Sequence, residues 1–277
     1  MKFGIAIFPT DYAIAMDELA PAVEQAGFES LWVAEHSHIP TNRLSPRPAG
    51  GQLPKQYWHC IDPFIALTVA ATASKTLLVG TGICLVVQRD PIHTAKEVAS
   101  LDHISNGRFV FGIGGGWNLE EMADHGTDPS RRWKLLLERV EAMKAIWTQE
   151  VPEYHGQMVD FGPMWSWPKP VQKPYPPVIL GGSGPKVLER VVRYADGWMP
   201  NRGEVMQRIP ELQSLAKAAG RGHIPVSVYP NADAKEIEQF AEAGVDRCIF
   251  YVPPDGRDAA LHKLEELAHL VRPYVPE

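Results

Sequence analysis

Leu77-Leu78-Val79-Gly80-Thr81-Gly82-Ile83-Cys84-Leu85 reads as a continuous, fully buried strand. Residues 95–104 follow with apolar side chains at helical spacing, and Arg108-Phe109-Val110-Phe111-Gly112-Ile113 is a second apolar run. Strands apolar on both faces belong to a parallel sheet that helices cover. The same alternation extends outward in both directions. Residues 3–8, 31–34, 178–180, 198–199, 226–229 and 248–252 read as strands, and residues 11–27, 63–73, 131–147, 186–194, 205–219, 235–243 and 259–271 as helices. Eight strand–helix units favour an α/β (β/α)8 TIM barrel over an open sheet, and a chain of 277 residues suits one such domain spanning 1–277. Two long connections interrupt the pattern, at residues 36–61 and 149–177, and loops of that length are usually functional. The first follows a strand, which places it on the catalytic face of a barrel. The second precedes one and starts near the opposite face.

Composition narrows the function. The formal net charge of −6, without long runs of one sign, gives no electrostatic case for nucleic acid or an anionic membrane as partner. Cys60, Cys84 and Cys248 are too scattered for a disulfide framework, and no C-x-x-C occurs. The apolar start of the chain soon meets Pro9-Thr10-Asp11 and lacks the pattern of a signal peptide, and no 18-residue apolar stretch is present. A cytoplasmic enzyme acting on a small molecule is the expectation.

Three segments at strand ends carry candidate chemistry. Gly112-Ile113-Gly114-Gly115-Gly116-Trp117-Asn118 follows the fourth strand, and such a glycine run lets backbone approach a ligand. Trp117 occupies the place where a dinucleotide fingerprint needs its last glycine. Gly181-Gly182-Ser183-Gly184-Pro185 precedes a helix, where amides and the helix dipole suit a phosphate; a simple cap with Pro185 in the first turn is the plainer alternative. Glu35-His36-Ser37-His38 closes the second strand. His36 and His38 have the alternation of a metal pair, but no other strand end supplies a third ligand, so Glu35 or His36 is read as a polar group facing an organic ligand. Trp58 and Trp117 are the tryptophans placed to line an apolar pocket.

Taken together in order, several segments resemble the luciferase-like monooxygenase superfamily, especially its branch dependent on the deazaflavin coenzyme F420. They are residues 26–36 (AGFESLWVAEH), 80–83 (GTGI), 101–108 (LDHISNGR), 112–121 (GIGGGWNLEE), 168–174 (PKPVQKP), 176–183 (PPVILGGS) and 195–198 (ADGW). The resemblance implies an insertion-bearing barrel with the cofactor ring at its strand ends. It further implies a cis Gly82-Ile83 peptide under the ring, with Gly114, Gly115 and Asn118 near the cofactor's side chain. Gly181, Gly182 and Ser183 match its phosphate turn, and Glu35 with His36 the polar pair after the second strand. His36 is then the proton-handling residue, and Glu35 orients either the cofactor or His36. Sugar-phosphate dehydrogenases of this branch carry a glutamate where this chain has Trp117. Trp117 and Trp58 therefore point to an apolar or aromatic substrate. The activity so implied is hydride transfer with F420; an FMN-dependent monooxygenase activating dioxygen is the alternative, and a barrel that binds cofactor without catalysis a lesser one. A homodimer is implied by the resemblance alone.

Overall fold

The computed structural model describes residues 1–200 and 205–275. Its strands are β1 (Lys2–Ile7), β2 (Ser30–Val33), β3 (Leu78–Thr81), β4 (Phe109–Ile113), β5 (Tyr154–His155), β6 (Asp160–Phe161), β7 (Val178–Gly181), β8 (Gly197–Met199), β9 (Ser227–Val228) and β10 (Arg247–Tyr251). Eight of them form one parallel sheet in the order β8-β7-β4-β3-β2-β1-β10-β9. Its two edges meet where Trp198 pairs with Val226 and the Trp198 amide donates to the Pro225 carbonyl at 2.9 Å, which brings the sheet close to a closed barrel. Closure removes sheet edges that would otherwise expose unpaired backbone.

Around the sheet lie α1 (Met16–Gln25), α2 (Pro63–Ala73), α3 (Pro91–Ile104), α4 (Leu119–Asp124), α5 (Arg132–Thr148), α6 (Val187–Tyr194), α7 (Val205–Ala218), α8 (Ala234–Glu242) and α9 (Arg257–Val271). Side chains alternate along the strands as a pleat requires. Phe109, Phe111 and Ile113 of β4 pack outward with the helices, while Val110 points inward. Ala6, Trp32, Val110, Ile179, Met199 and Ile249 fill the barrel interior, one from each of six strands. Each fully buried large apolar side chain contributes about 1.5–3 kcal/mol, so this filled interior is a core and not a pore.

Local departures from the sequence reading have local causes. β3 ends at Thr81 and not at Leu85; the Gly82-Ile83 peptide that follows is cis, and the chain then turns into a 3-10 segment at Val86–Gln88. α1 begins at Met16, five residues later than expected, after a turn that follows Thr10. Within the 149–177 connection, β5 and β6 form an antiparallel hairpin. Its later part stays at the bottom of the barrel, where Gln172 bonds Asp102 at the end of α3 and the Phe109 carbonyl at the start of β4. No helix among the described residues is long and apolar enough to cross a membrane.

Candidate active site at the barrel mouth

Two consecutive residues leave β2 and take different partners. Glu35, 7% exposed, accepts from Arg89 Nε at 2.6 Å and from the Leu85 amide at 2.5 Å. Arg89 also pairs with Asp62, which caps α2, and with Glu97 on α3. Burial works against the Arg89 charge, but Glu35 and Asp62 more than offset it and hold the guanidinium above its ordinary range. This pillar fixes the chain at Leu85 and Arg89. Neighbouring Cys84 stays a thiol, since burial pushes its pKa well up.

His36, 8% exposed, is held by a different acid. Its Nδ1 lies 2.7 Å from Oε2 of Glu121, whose other oxygen accepts from the Ser37 amide at 3.1 Å. Glu121 is fully buried and stands in the first turn of α4, whose N-cap is Asn118; the Asn118 side-chain oxygen accepts from the Glu121 amide at 3.3 Å. The cap sets the helix start, the helix places the carboxylate, and the carboxylate fixes the ring. With Nδ1 engaged, Nε2 is the nitrogen that can take up or give a proton. Glu35 therefore does not orient His36; Glu121 does.

Aromatic rings surround this histidine. Tyr57 lies 5.2 Å and Trp117 5.7 Å from the His36 ring, and the two meet each other edge-on at 6.1 Å. Phe8 packs tilted against Tyr57 and stacks on Tyr251, and Tyr251 stacks on Tyr229, so rings continue across the mouth. Trp58 lies apart, 50% exposed with His59 as its ring neighbour. Tyr57, one residue earlier, takes the position expected of it.

The glycines divide into two groups. A Cβ on Gly114 or Gly181 would run into the Ile83 side chain, and one on Gly115 would meet Trp133 at 3.1 Å. These three make room for protein. Gly182, at φ 124°, and Gly184 have no described residue within 4 Å of such a Cβ, so among the described residues their turn after β7 is open. Ser183 sits between them, its carbonyl accepting from Arg208. Gly82 approaches the hydroxyl of Tyr229, a phenol that burial keeps protonated well above its usual range and that lies 3.2 Å from Met199 Sδ. The turn after β7, the ring-lined wall beside His36 and the Nδ2 of Asn118, buried without a hydrogen-bond partner among the described residues, fit a planar cofactor with an anionic tail. A cleft of about 680 Å³ between α5, the hairpin and α6 lies elsewhere, and none of the candidate residues lines it.

Over the mouth runs the 37–61 loop. Glu120 Oε1 accepts from the amides of Leu44 at 2.7 Å and Ser45 at 3.1 Å. The Ser45 hydroxyl and these amides hold the Glu120 carboxyl down at about 2. Sequence reading missed Glu121, Glu120, Arg89, Tyr57 and Tyr229. For the two acids, the Asn118-x-x-Glu121 cap spacing before an apolar position was the available signal.

Comparison with known proteins gives the family and the fold. The luciferase-like monooxygenase family model matches residues 1–273. An uncharacterized protein of Mycobacterium tuberculosis is 39% identical over 278 residues, covering 97% of this chain and 98% of the relative. The F420-dependent hydroxymycolic acid dehydrogenase of the same organism is 27% identical over 87% of this chain and 61% of its own. The FMNH2-dependent dimethylsulfone monooxygenase of Pseudomonas putida is 27% identical over 67% and 54%. In structure, the F420-dependent tetrahydromethanopterin reductase of Methanopyrus kandleri superposes with a TM-score of 0.79 at 20% identity, covering 99% of both chains. Family and fold define an oxidoreductase barrel of the flavin- or F420-dependent class. The chain belongs to the luciferase-like monooxygenase family.

Proposed function

We propose that this protein transfers a hydride between F420 and an apolar or aromatic small molecule, with His36 handling the accompanying proton. The observation that carries this reading is the buried His36–Glu121 pair at the end of β2, walled by Tyr57 and Trp117. F420, when bound, supplies the hydride chemistry. Asn118 Nδ2 and the Gly181–Gly182–Ser183 turn would hold its side chain, with Gly82-Ile83, Gly114 and Gly115 shaping the floor beneath the ring. Glu121 keeps the imidazole in one tautomer, so that Nε2 faces its task already oriented. Tyr57 and Trp117 hold a planar substrate and exclude water. Glu35 serves through Arg89 by fixing the loop after β3.

FMN-dependent monooxygenation is the second reading, favoured by the FMNH2-dependent relative. The F420-dependent relative matches a larger share of this chain, 87% against 67%, which supports F420. A screen of small molecules against the F420-loaded enzyme, read by loss of oxidised F420 absorbance, tests the assignment. With any active substrate, His36→Asn should lower turnover about 10²–10⁴-fold and leave F420 affinity within about twofold. Unchanged turnover would remove His36 from the chemistry.

A further inference from the structure

The loop over the mouth has a charge pattern the hydride reading leaves unused. From Ser37 to Ile61 it carries Arg43, Arg47 and Lys55 and no aspartate or glutamate, in a chain whose net charge is −6. Each of the three cations sits over an aromatic ring at the mouth. Arg43 lies 5.5 Å from the Trp117 centroid, Arg47 lies 5.6 Å from Tyr57, and Lys55 Nζ lies 3.9 Å from Tyr12. Trp117 and Tyr57 are the two rings that flank His36.

Among the described residues, none of these cations has a carboxylate partner. Arg43 donates to the Ser45 carbonyl at 2.6 Å, and Arg47 reaches the Gly50 and Gln52 carbonyls at 3.3 and 3.5 Å. Arg47 Nε is buried with no hydrogen-bond partner among the described residues. Glu120, the acid fastened to this loop, spends Oε1 on the Leu44 and Ser45 amides, between the two arginines. Arg89, by contrast, has three carboxylates. The open glycine turn suited to a cofactor's anionic tail follows β7, three strands around the barrel from β2. The loop cations thus form a second cationic end, on the His36 side.

We infer that Arg43 and Arg47 select the substrate: a planar aromatic molecule bearing a carboxylate, its ring against Trp117 and Tyr57 and its carboxylate in the guanidinium forks. The chemistry is complementary, since a guanidinium offers paired donors in the plane a carboxylate accepts, and stacking on a ring orients that plane beforehand. This deepens the proposed function and rests on its placing of substrate beside His36. It does not depend on which cofactor binds.

Calorimetric titration of the protein, with and without F420, by 2-naphthoate and by its neutral counterpart 2-naphthamide tests the inference. Naphthoate should bind the wild-type protein about tenfold or more tightly than naphthamide. Arg43→Gln with Arg47→Gln should bring the two within about threefold of each other, while Arg43→Lys with Arg47→Lys keeps part of the preference. F420 affinity should stay within about twofold in both double variants. Equal affinity of the two probes for wild type, or no measurable binding of either, overturns the inference. A fall in F420 affinity in the glutamine variant also overturns it, because the guanidiniums then serve the cofactor's tail. Failure of wild type to bind F420 would instead sink the cofactor reading, with the naphthoate preference still read on its own.

Discussion

On the β2–β4 side of the mouth, Glu35, His36 and Glu121 are all buried, and each is bonded to a named partner across a different element. On the β7 side, Gly182 and Gly184 border space in which an added Cβ would meet no described residue within 4 Å. One half is built to hold chemical groups still, and the other to leave room. The difference also separates residues that look alike in sequence. Glu35 and His36 are adjacent and almost equally buried, yet one braces the loop after β3 while the other is held by Glu121 beside Trp117. Gly114 and Gly184 both lie in glycine-rich turns, but among the described residues only the first has a side chain packed where its Cβ would go.

The strongest way to break this comparison is Glu35→Ala. It takes from the half-buried Arg89 the best-buried of its three carboxylates, leaves the Leu85 amide without its acceptor, and should destabilise the fold by roughly 1.5–3 kcal/mol in thermal or denaturant unfolding. A loss below 1 kcal/mol would show that the pillar does not brace the mouth. Gly114→Ala comes next, at about 1–3 kcal/mol, because the methyl must displace Ile83 within a packed floor. Gly184→Ala should change stability by no more than about 0.5 kcal/mol while weakening F420 binding severalfold, since it fills only the open turn. A stability loss as large as that of Gly114→Ala would erase the distinction between the two halves.

The loop over the mouth offers a smaller, pH-linked effect. The Glu120 carboxyl is held at about 2, below the ordinary carboxylate value of about 4.3. Its pin on Leu44 and Ser45 is therefore complete above that ordinary value and fades as pH falls from about 4 through about 2. Glu120→Gln should mimic the loosened state at neutral pH, seen as severalfold faster proteolysis within residues 37–61. Equal cleavage rates would mean that the loop is held by its other contacts.

The fold was legible because eight apolar strand runs alternate with helical patterns, a signal repeated along the chain. The strand ends were legible only as motifs. His36, Asn118 and the 181–183 turn stood out, since glycine runs and a polar pair after a strand are unusual locally. Their partners did not. Glu121 lies 85 residues from His36 in a six-residue helix, too short for periodicity to reveal. Arg89 lies 54 residues from Glu35 and reads alone as a surface cation. Trp58 drew attention by residue type, whereas the turn of the loop brings its neighbour Tyr57 to His36. Contacts set by barrel closure carry no short-range signature.

The central claim, that the mouth is built around a deazaflavin, is tested most directly by titrating the purified protein with F420 and with FMN and following intrinsic tryptophan fluorescence. The account predicts saturable, tight F420 binding and negligible FMN binding. Tight FMN binding without measurable F420 binding would contradict it and turn the site over to oxygen-activating flavin chemistry.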